Sequence, residues 1–151
     1  MNETTKYEFC SEDWVAVARD YLVDAVGDAD LGDGRFSFCE EFTDAPSHLL
    51  EPGESTTGWH VSVVDGALRV GKGVLPDADI RITADYATVL PLAQIAFADN
   101  PDAAADAQKT VEAAMADGKM RREGDATAVA KVPALAAAFA NLHDTLARRT
   151  L

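Results

Sequence analysis

Basic residues are scarce in this sequence, which has 13 lysines and arginines against 26 aspartates and glutamates and a formal net charge of −13. The acidic residues run through nearly every segment instead of collecting in a tail, so we expect the negative charge to cover the surface. Binding to nucleic acid depends mostly on neutralising phosphates with Lys and Arg. A field of the opposite sign therefore argues against nucleic acid and anionic membrane surfaces as partners.

Cysteines are also few, and long apolar runs are absent from the sequence. Cys10 and Cys39 form no Cys-x-x-Cys motif, so we expect two reduced, buried thiols and neither a disulfide framework nor a zinc site. No apolar run approaches the roughly 20 residues that cross a bilayer, and residues 1–6 lack the basic and apolar regions of a signal peptide. These absences predict a cytoplasmic protein.

Residues that could support catalysis or metal binding are few and poorly placed. His48, His60 and His143 have no metal-ligand spacing, and no nucleotide-binding loop or nucleophile elbow occurs. His60 could act as a base if a carboxylate oriented it, although a surface histidine on a half-buried strand has the same pattern. We expect no metal, no cofactor and no catalytic residue.

What the sequence does contain is a regular succession of helical and alternating apolar patterns. At 151 residues it has the length of one typical domain, so we expect a single domain over residues 1–151. Capping residues, an Asp65-Gly66 hairpin turn and the apolar periodicities mark the elements. The predicted elements are a helix at 11–27, strands at 36–42, 59–63, 68–70 and 79–83, helices at 85–97 and 100–118, a strand at 119–123 and a last helix at 133–146. Pro91 is expected to kink or delay the helix at 85–97.

Two stretches of the chain resemble the sterol carrier protein type two family. They are Asp-Ala-Asp-Ile-Arg-Ile-Thr-Ala-Asp-Tyr-Ala-Thr at 77–88 and Gly-Lys-Met-Arg-Arg-Glu-Gly-Asp at 118–125. Family members have a strand ending in Thr and a capping acid, then a helix, a glycine-bounded strand and closing helices, which here begin at Val132-Pro133. The resemblance implies an SCP2-like α+β fold, with a five-stranded, mostly antiparallel sheet, helices packed on one face and an apolar cavity between them.

The resemblance also implies a function without catalysis. In this family the cavity takes a fatty acyl chain, a sterol or a similar lipid, so we expect binding or carriage of a hydrophobic or amphipathic small molecule. The residues expected to contact it are those on the apolar side of the sheet and on the covering helices: Glu40, Trp59, Val61, Val63, Ile80, Ile82, Leu92, Phe97, Val111, Met115, Met120, Arg122, Leu135 and Phe139.

Arg122 is one of two charges that interrupt this apolar pattern. It follows Met120 at a two-residue spacing, so strand alternation directs it to the cavity side. There it could pair with a ligand carboxylate or another anionic head. The alternative is an edge strand from which Arg122 extends into water.

Glu40 is the second charge, within the alternating run of phenylalanines from 36 to 42. A buried carboxylate needs a partner, and Glu40 could meet Arg122 across the strand that the family places between them. The alternative that we favour at this stage is a bulge at Glu40-Glu41 that turns the charge outward.

Two other functions stay open. The domain could be an enzyme or biosynthetic accessory acting on a small anionic metabolite, with Arg122 as anchor and Glu40 or His60 as acid or base. It could also be an interaction module with a collapsed cavity, whose alanine-rich helix packs on a partner or a second copy in a homodimer. The end of the chain, 149–151, is similar to the peroxisomal Ser-Lys-Leu signal but does not match it.

Overall fold

The computed structural model describes residues 5–151, so the residues behind the signal-peptide expectation lie largely outside it. Its helices and strands follow the predicted order closely. They are α1 (Glu12–Val26), β1 (Phe36–Thr43), β2 (Thr57–Val64), β3 (Ala67–Lys72), β4 (Ile80–Asp85), α2 (Tyr86–Ala93), α3 (Pro101–Ala116), β5 (Met120–Gly124), α4 (Pro133–Phe139) and α5 (Leu142–Ala147), with short 3-10 helices at Ser47–Leu49 and Ala128–Lys131.

Helix boundaries lie where the capping residues predict them. The Ser11 hydroxyl accepts a hydrogen bond from the Trp14 amide at 3.1 Å, and α1 ends at Gly27, whose φ of 57° suits glycine. The Asp85 carboxylate likewise accepts from the Thr88 amide at 3.0 Å, where β4 passes directly into α2. Because β4 leads straight into α2, this helix begins at the edge of the sheet surface that it covers.

The five strands form one mixed sheet in the order β3-β2-β1-β4-β5. β1 and β4 pair in parallel, and the other three pairs are antiparallel. The expected five-stranded, mostly antiparallel α+β architecture is confirmed, and β4 lies between β1 and β5 as the resemblance implies. β5 is an edge strand.

Strand alternation gives the sheet an apolar and a polar face. The rows of the apolar face are set by the register: Phe38 lies opposite Val61 on one side and Ile80 on the other, and Glu40 lies opposite Trp59 and Ile82. α1 packs over β3 and contacts α4 and α5, while α2 contacts β4 and α3 contacts β5. The helices therefore cover the apolar face in two halves.

Two helices differ from the sequence prediction. α2 ends at Ala93, two residues after Pro91, instead of continuing to residue 97. The helix begins at residue 86, directly after its cap, so the delayed start considered for Pro91 is wrong. Pro91 lies inside the last turn, where its missing N–H removes one bond of the helix. The last predicted helix is divided at Ala140 and Asn141 into α4 and α5, with a tightened turn in which the Ala140 amide bonds the carbonyl of Ala137.

Cys10 and Cys39 are free and fully buried, which confirms the expectation for both thiols. Burial raises the pKa of Cys10 to about 12 and also raises the pKa of Cys39, so neither is a thiolate near neutral pH. None of the helices in the described part of the chain is both long and apolar enough to span a membrane.

Candidate functional site

A cavity of about 770 Å³ lies between the apolar face of the sheet and the helices. Its sheet wall comes from β1, β2, β4 and β5, and its helical wall from α2, α3 and α5 together with Trp14 of α1. Most of its lining side chains are apolar. The sheet residues reach it because alternation directs every second side chain of these strands toward the helices.

Many of the residues expected at the ligand line this cavity. The strands contribute Trp59, Ile82 and Met120, together with the two charged residues Glu40 and Arg122. The helical side and the loop after α2 contribute Leu92, Phe97, Val111 and Met115. Met115 is exposed, so the end of α3 lies at the cavity mouth.

Five expected residues do not line the cavity, and the prediction is corrected for them. Val61, Val63 and Leu135 are fully buried in the packed core, and Ile80 is buried with them. Phe139 packs edge-on against Phe36 and Phe38, with ring centroids 6.1 and 5.5 Å apart. The physical reason is that α1 and α4 fill the space above this half of the sheet, which leaves a cavity over the other half only.

Aromatic residues at one end of the cavity were missed by the sequence prediction of the site. Phe9, Trp14, Phe38 and Phe42 all line it. Phe9 contacts both Trp14 and Phe42, with ring centroids 5.1 and 4.9 Å apart. Alternation around Glu40 could have identified Phe38 and Phe42, whereas Phe9 precedes the first helix and carries no periodic signal.

The other lining residues that the sequence prediction missed all lie on the helical wall. They are Val89 and Ala93 of α2, Ala104, Ala107, Gln108 and Glu112 of α3, and Leu142, His143 and Leu146 of α5. The helical stripes predicted that α2 and α5 face the core, but periodicity alone does not say which turns meet a cavity and which meet packed side chains.

Glu40 is the half-buried charge on the cavity wall. Its Oε1 accepts a hydrogen bond from the indole Nε1 of Trp59 at 2.7 Å, and Trp59 is its cross-strand neighbour on β2. Burial raises the pKa of Glu40 to about 7, although the Trp59 hydrogen bond opposes that rise. The favoured alternative of a bulge is wrong, since the β1 ladder runs through Glu40 without interruption on both sides.

Arg122 lies on the same side of the sheet but in a different environment. It is exposed on the edge strand β5, as the alternative interpretation expected, and it also lines the cavity, the side to which strand alternation directs it. The row Glu40, Ile82, Arg122 puts one strand between the two charges, which corresponds to roughly 10 Å. No ion pair joins them, so the suggested Glu40–Arg122 contact is not formed.

The loop at 94–100 closes the cavity beside α5 and is held there by polar contacts. Asp144 accepts from the amides of Phe97 and Ala98 at 2.8 and 3.2 Å. His143 donates from Nε2 to the Ile95 carbonyl at 2.9 Å, and its ring stacks on Phe97 at 4.4 Å. Phe97 therefore lines the cavity although it lies outside any helix.

His60 lies away from the cavity. It occupies the polar face of the sheet, where its Nδ1 bonds the Gly73 carbonyl at 3.0 Å. On the same face Arg81 forms a half-buried ion pair with Glu41, which lowers the pKa of that carboxyl. His60 is thus not available as an acid or base in the cavity.

No protein-family model matches the chain, and no curated protein sequence matches it either. Solved structures do. A crystal structure of sterol carrier protein 2 is 16% identical in sequence, with 93% of this chain and 98% of that chain covered and a TM-score of 0.51. A UbiJ-SCP2 ubiquinone synthesis protein is 15% identical, with coverage of 87% and 86% and a TM-score of 0.40. Palmitated SCP2L2 from Aedes aegypti is 16% identical, with coverage of 78% and 88% and a TM-score of 0.36.

The likeness to sterol carrier protein 2 extends over nearly the whole of both chains, and it agrees with the sheet and helices described above. At this level of identity it concerns the fold. The chain is therefore an SCP2-like domain in fold, an α+β structure in which helices cover one face of a five-stranded mixed sheet.

Proposed function

We propose that this protein binds and carries a hydrophobic or amphipathic small molecule, such as a fatty acyl chain or a sterol-like lipid, in the cavity between sheet and helices. The observation that carries the proposal is the cavity itself, with a volume of about 770 Å³ and a mostly apolar lining. Small-molecule sites of this kind measure about 300 to 1,000 Å³. Burial of apolar ligand surface, at about 25 cal/mol per Å², would supply the affinity.

The fold supports the same proposal. The similar structure that covers nearly the full chain is a sterol carrier by name, and in the present chain the helix-covered sheet encloses the cavity. The ligand-binding residues in this proposal are the predicted ones that line the cavity: Glu40, Trp59, Ile82, Leu92, Phe97, Val111, Met115, Met120 and Arg122. The third function considered from the sequence, an interaction module, requires a collapsed cavity. The open cavity of about 770 Å³ does not favour it.

The test is native mass spectrometry of protein purified without detergent, followed by extraction and identification of the bound molecules. We expect an apolar or amphipathic ligand in part of the population. Ala107 is buried on the cavity wall, so Ala107→Phe should fill the cavity and lower occupancy severalfold. Ala105 is exposed on the same helix, and Ala105→Phe is the matched control that should retain the ligand. An empty protein that also takes up no added long-chain alkyl ligand would contradict the proposal.

Glu40 favours one alternative, an enzyme or biosynthetic accessory that acts on a small anionic metabolite. A carboxyl whose pKa is about 7 can exchange a proton near neutral pH, and Arg122 at the cavity wall could hold the anionic group. Co-purification of a small polar acid in place of a lipid would support this alternative.

A further inference from the structure

The polar groups that line the cavity differ in depth. Gln108, Glu112, Arg122 and His143 are exposed and form the rim. Glu40, by contrast, is half-buried on β1, the central strand of the sheet, between the phenylalanines at 38 and 42. A ligand with an apolar body inside the cavity would meet this carboxylate, whereas the rim groups can stay in water.

The carboxylate of Glu40 is only partly satisfied by protein. Oε1 accepts from Trp59 Nε1 at 2.7 Å, and Oε2 has no hydrogen-bond partner among residues 5–151. Arg122 forms no ion pair with it, and the thiol of Cys10, which is close enough to interact electrostatically, is neutral. Glu40 is half-buried and has lost part of its hydration while only one donor of the described chain reaches it, so a ligand donor that reaches Oε2 would be held strongly.

We propose that the ligand of this cavity is an amphipath whose polar group donates a hydrogen bond to Glu40, as an alcohol or a primary amine does. The inference rests on the proposed function, because it names the chemistry of the molecule in the same cavity. An alcohol can donate to the ionised carboxylate and accept from the protonated one. A free carboxylate can do neither without repulsion once Glu40 is ionised.

The pKa of about 7 supports this assignment. Burial disfavours the charged form more than the single hydrogen bond from Trp59 favours it, and a second donor at the carboxylate would favour the charged form further. A bound amine would pair with the ionised form and bring the pKa of Glu40 back down. A bound ether or hydrocarbon would leave it high.

The experiment compares four ten-carbon probes by isothermal titration calorimetry at pH 8: 1-decanol, decylamine, methyl nonyl ether and decanoic acid. The ether matches the alcohol in size and keeps the acceptor oxygen but cannot donate. We expect the alcohol and the amine to bind wild-type protein about tenfold more tightly than the ether, which is the scale of one hydrogen bond to a charged group. The acid should bind more weakly than the alcohol.

Variants separate the role of Glu40 from general effects of charge. Glu40→Leu should bring the alcohol, amine and ether to similar affinities, while Glu40→Gln should keep the preference for the alcohol and lose that for the amine. Glu123 lies exposed on the other face of β5, paired with Arg121, so Glu123→Leu is a matched control that should leave all preferences unchanged.

The outcomes distinguish the two proposals. If each probe binds wild-type protein and Glu40→Leu with the same affinity, the inference about Glu40 is overturned and the proposal of cavity binding is left intact. Failure of all four probes to bind would overturn both. The alcohol-to-ether ratio on wild-type protein needs no variant, so the inference is testable even if Glu40→Leu does not fold.

Discussion

Glu40 occupies a position on a central strand where its inward-facing neighbours are apolar: Phe38 and Phe42 on the same strand, Trp59 on β2 and Ile82 on β4. Its partner across β2 is Trp59, whose indole is the one side-chain donor that reaches the carboxylate within the described chain. The pairing explains how a carboxylate is accommodated near the middle of a mostly apolar sheet face. It also gives the cavity a titratable group whose pKa lies near the physiological range.

This raised pKa predicts how stability depends on pH. Between its ordinary pKa of 4.5 and the folded value of about 7, the folded chain holds a proton at Glu40 that the unfolded chain has lost. The free energy of unfolding should therefore fall as pH rises through this window. Glu40→Gln has no such proton to hold. Between pH 5 and pH 8 its free energy of unfolding should therefore rise by up to about 3 kcal/mol relative to that of the wild type.

Urea denaturation of both proteins across that pH range measures the difference. Contributions of other charged groups cancel in the subtraction, including those of Arg122, Glu112 and His143, which also line the cavity. Glu123→Gln, at an exposed position, should follow the wild type at every pH. A stability difference between Glu40→Gln and the wild type that does not change with pH would show that Glu40 titrates normally.

At the scale of elements, α5 and the loop at 94–100 form one side of the cavity mouth. Pro91 lies in the last turn of α2, and in the loop that follows, within the described chain, backbone carbonyls accept from the amides at 94, 95, 99 and 100 but not from those at 97 and 98. Asp144 satisfies two of its amides, and Arg148 adds an exposed ion pair to Asp99 at 3.1 Å. The position of Phe97 at the cavity thus depends on contacts from α5.

Loss of the Asp144 carboxylate should loosen this loop. In Asp144→Ala we expect the amides of Phe97 and Ala98 to exchange with solvent hydrogen at least about tenfold faster, because two hydrogen bonds to a charged acceptor are removed. Arg148→Ala removes the exposed ion pair and keeps both amide bonds, so it should have a much smaller effect. Equal exchange rates in Asp144→Ala and the wild type would mean that the loop is held by packing alone.

At the scale of the whole molecule, much of the fold was predictable from local signals. The caps at Ser11 and Asp85, the Asp65-Gly66 turn and the strand alternation have simple stereochemical causes, and each is found where expected. The split between α4 and α5 depends on one tightened turn near Asn141, which periodicity does not reveal. That β4 lies beside β1 was expected from the resemblance to a family and not from local pattern, and the parallel direction of this pair was not predicted.

The site was less predictable, for a physical reason. Alternation assigned Val61 and Val63 to the same face as Trp59 and Ile82, correctly, but it does not say which helix covers which part of a face. α1 and α4 fill one half, so the valines are core while Trp59 and Ile82 line the cavity. Phe9, outside any helix or strand, is held at the cavity by the Tyr86 hydroxyl, which donates to its carbonyl at 2.7 Å.

The central claim is that a small amphipathic molecule occupies the cavity beside Glu40, and an NMR titration with 1-decanol tests it most directly. Trp59, Met115 and Met120 line the cavity, so we expect the indole N–H signal of Trp59 and the methyl signals of both methionines to shift. The methyl signals of Val61, on the same face under the packed half, should stay nearly unchanged. Absence of shifts at saturating alcohol, or shifts as large at Val61 as at Met120, would contradict it.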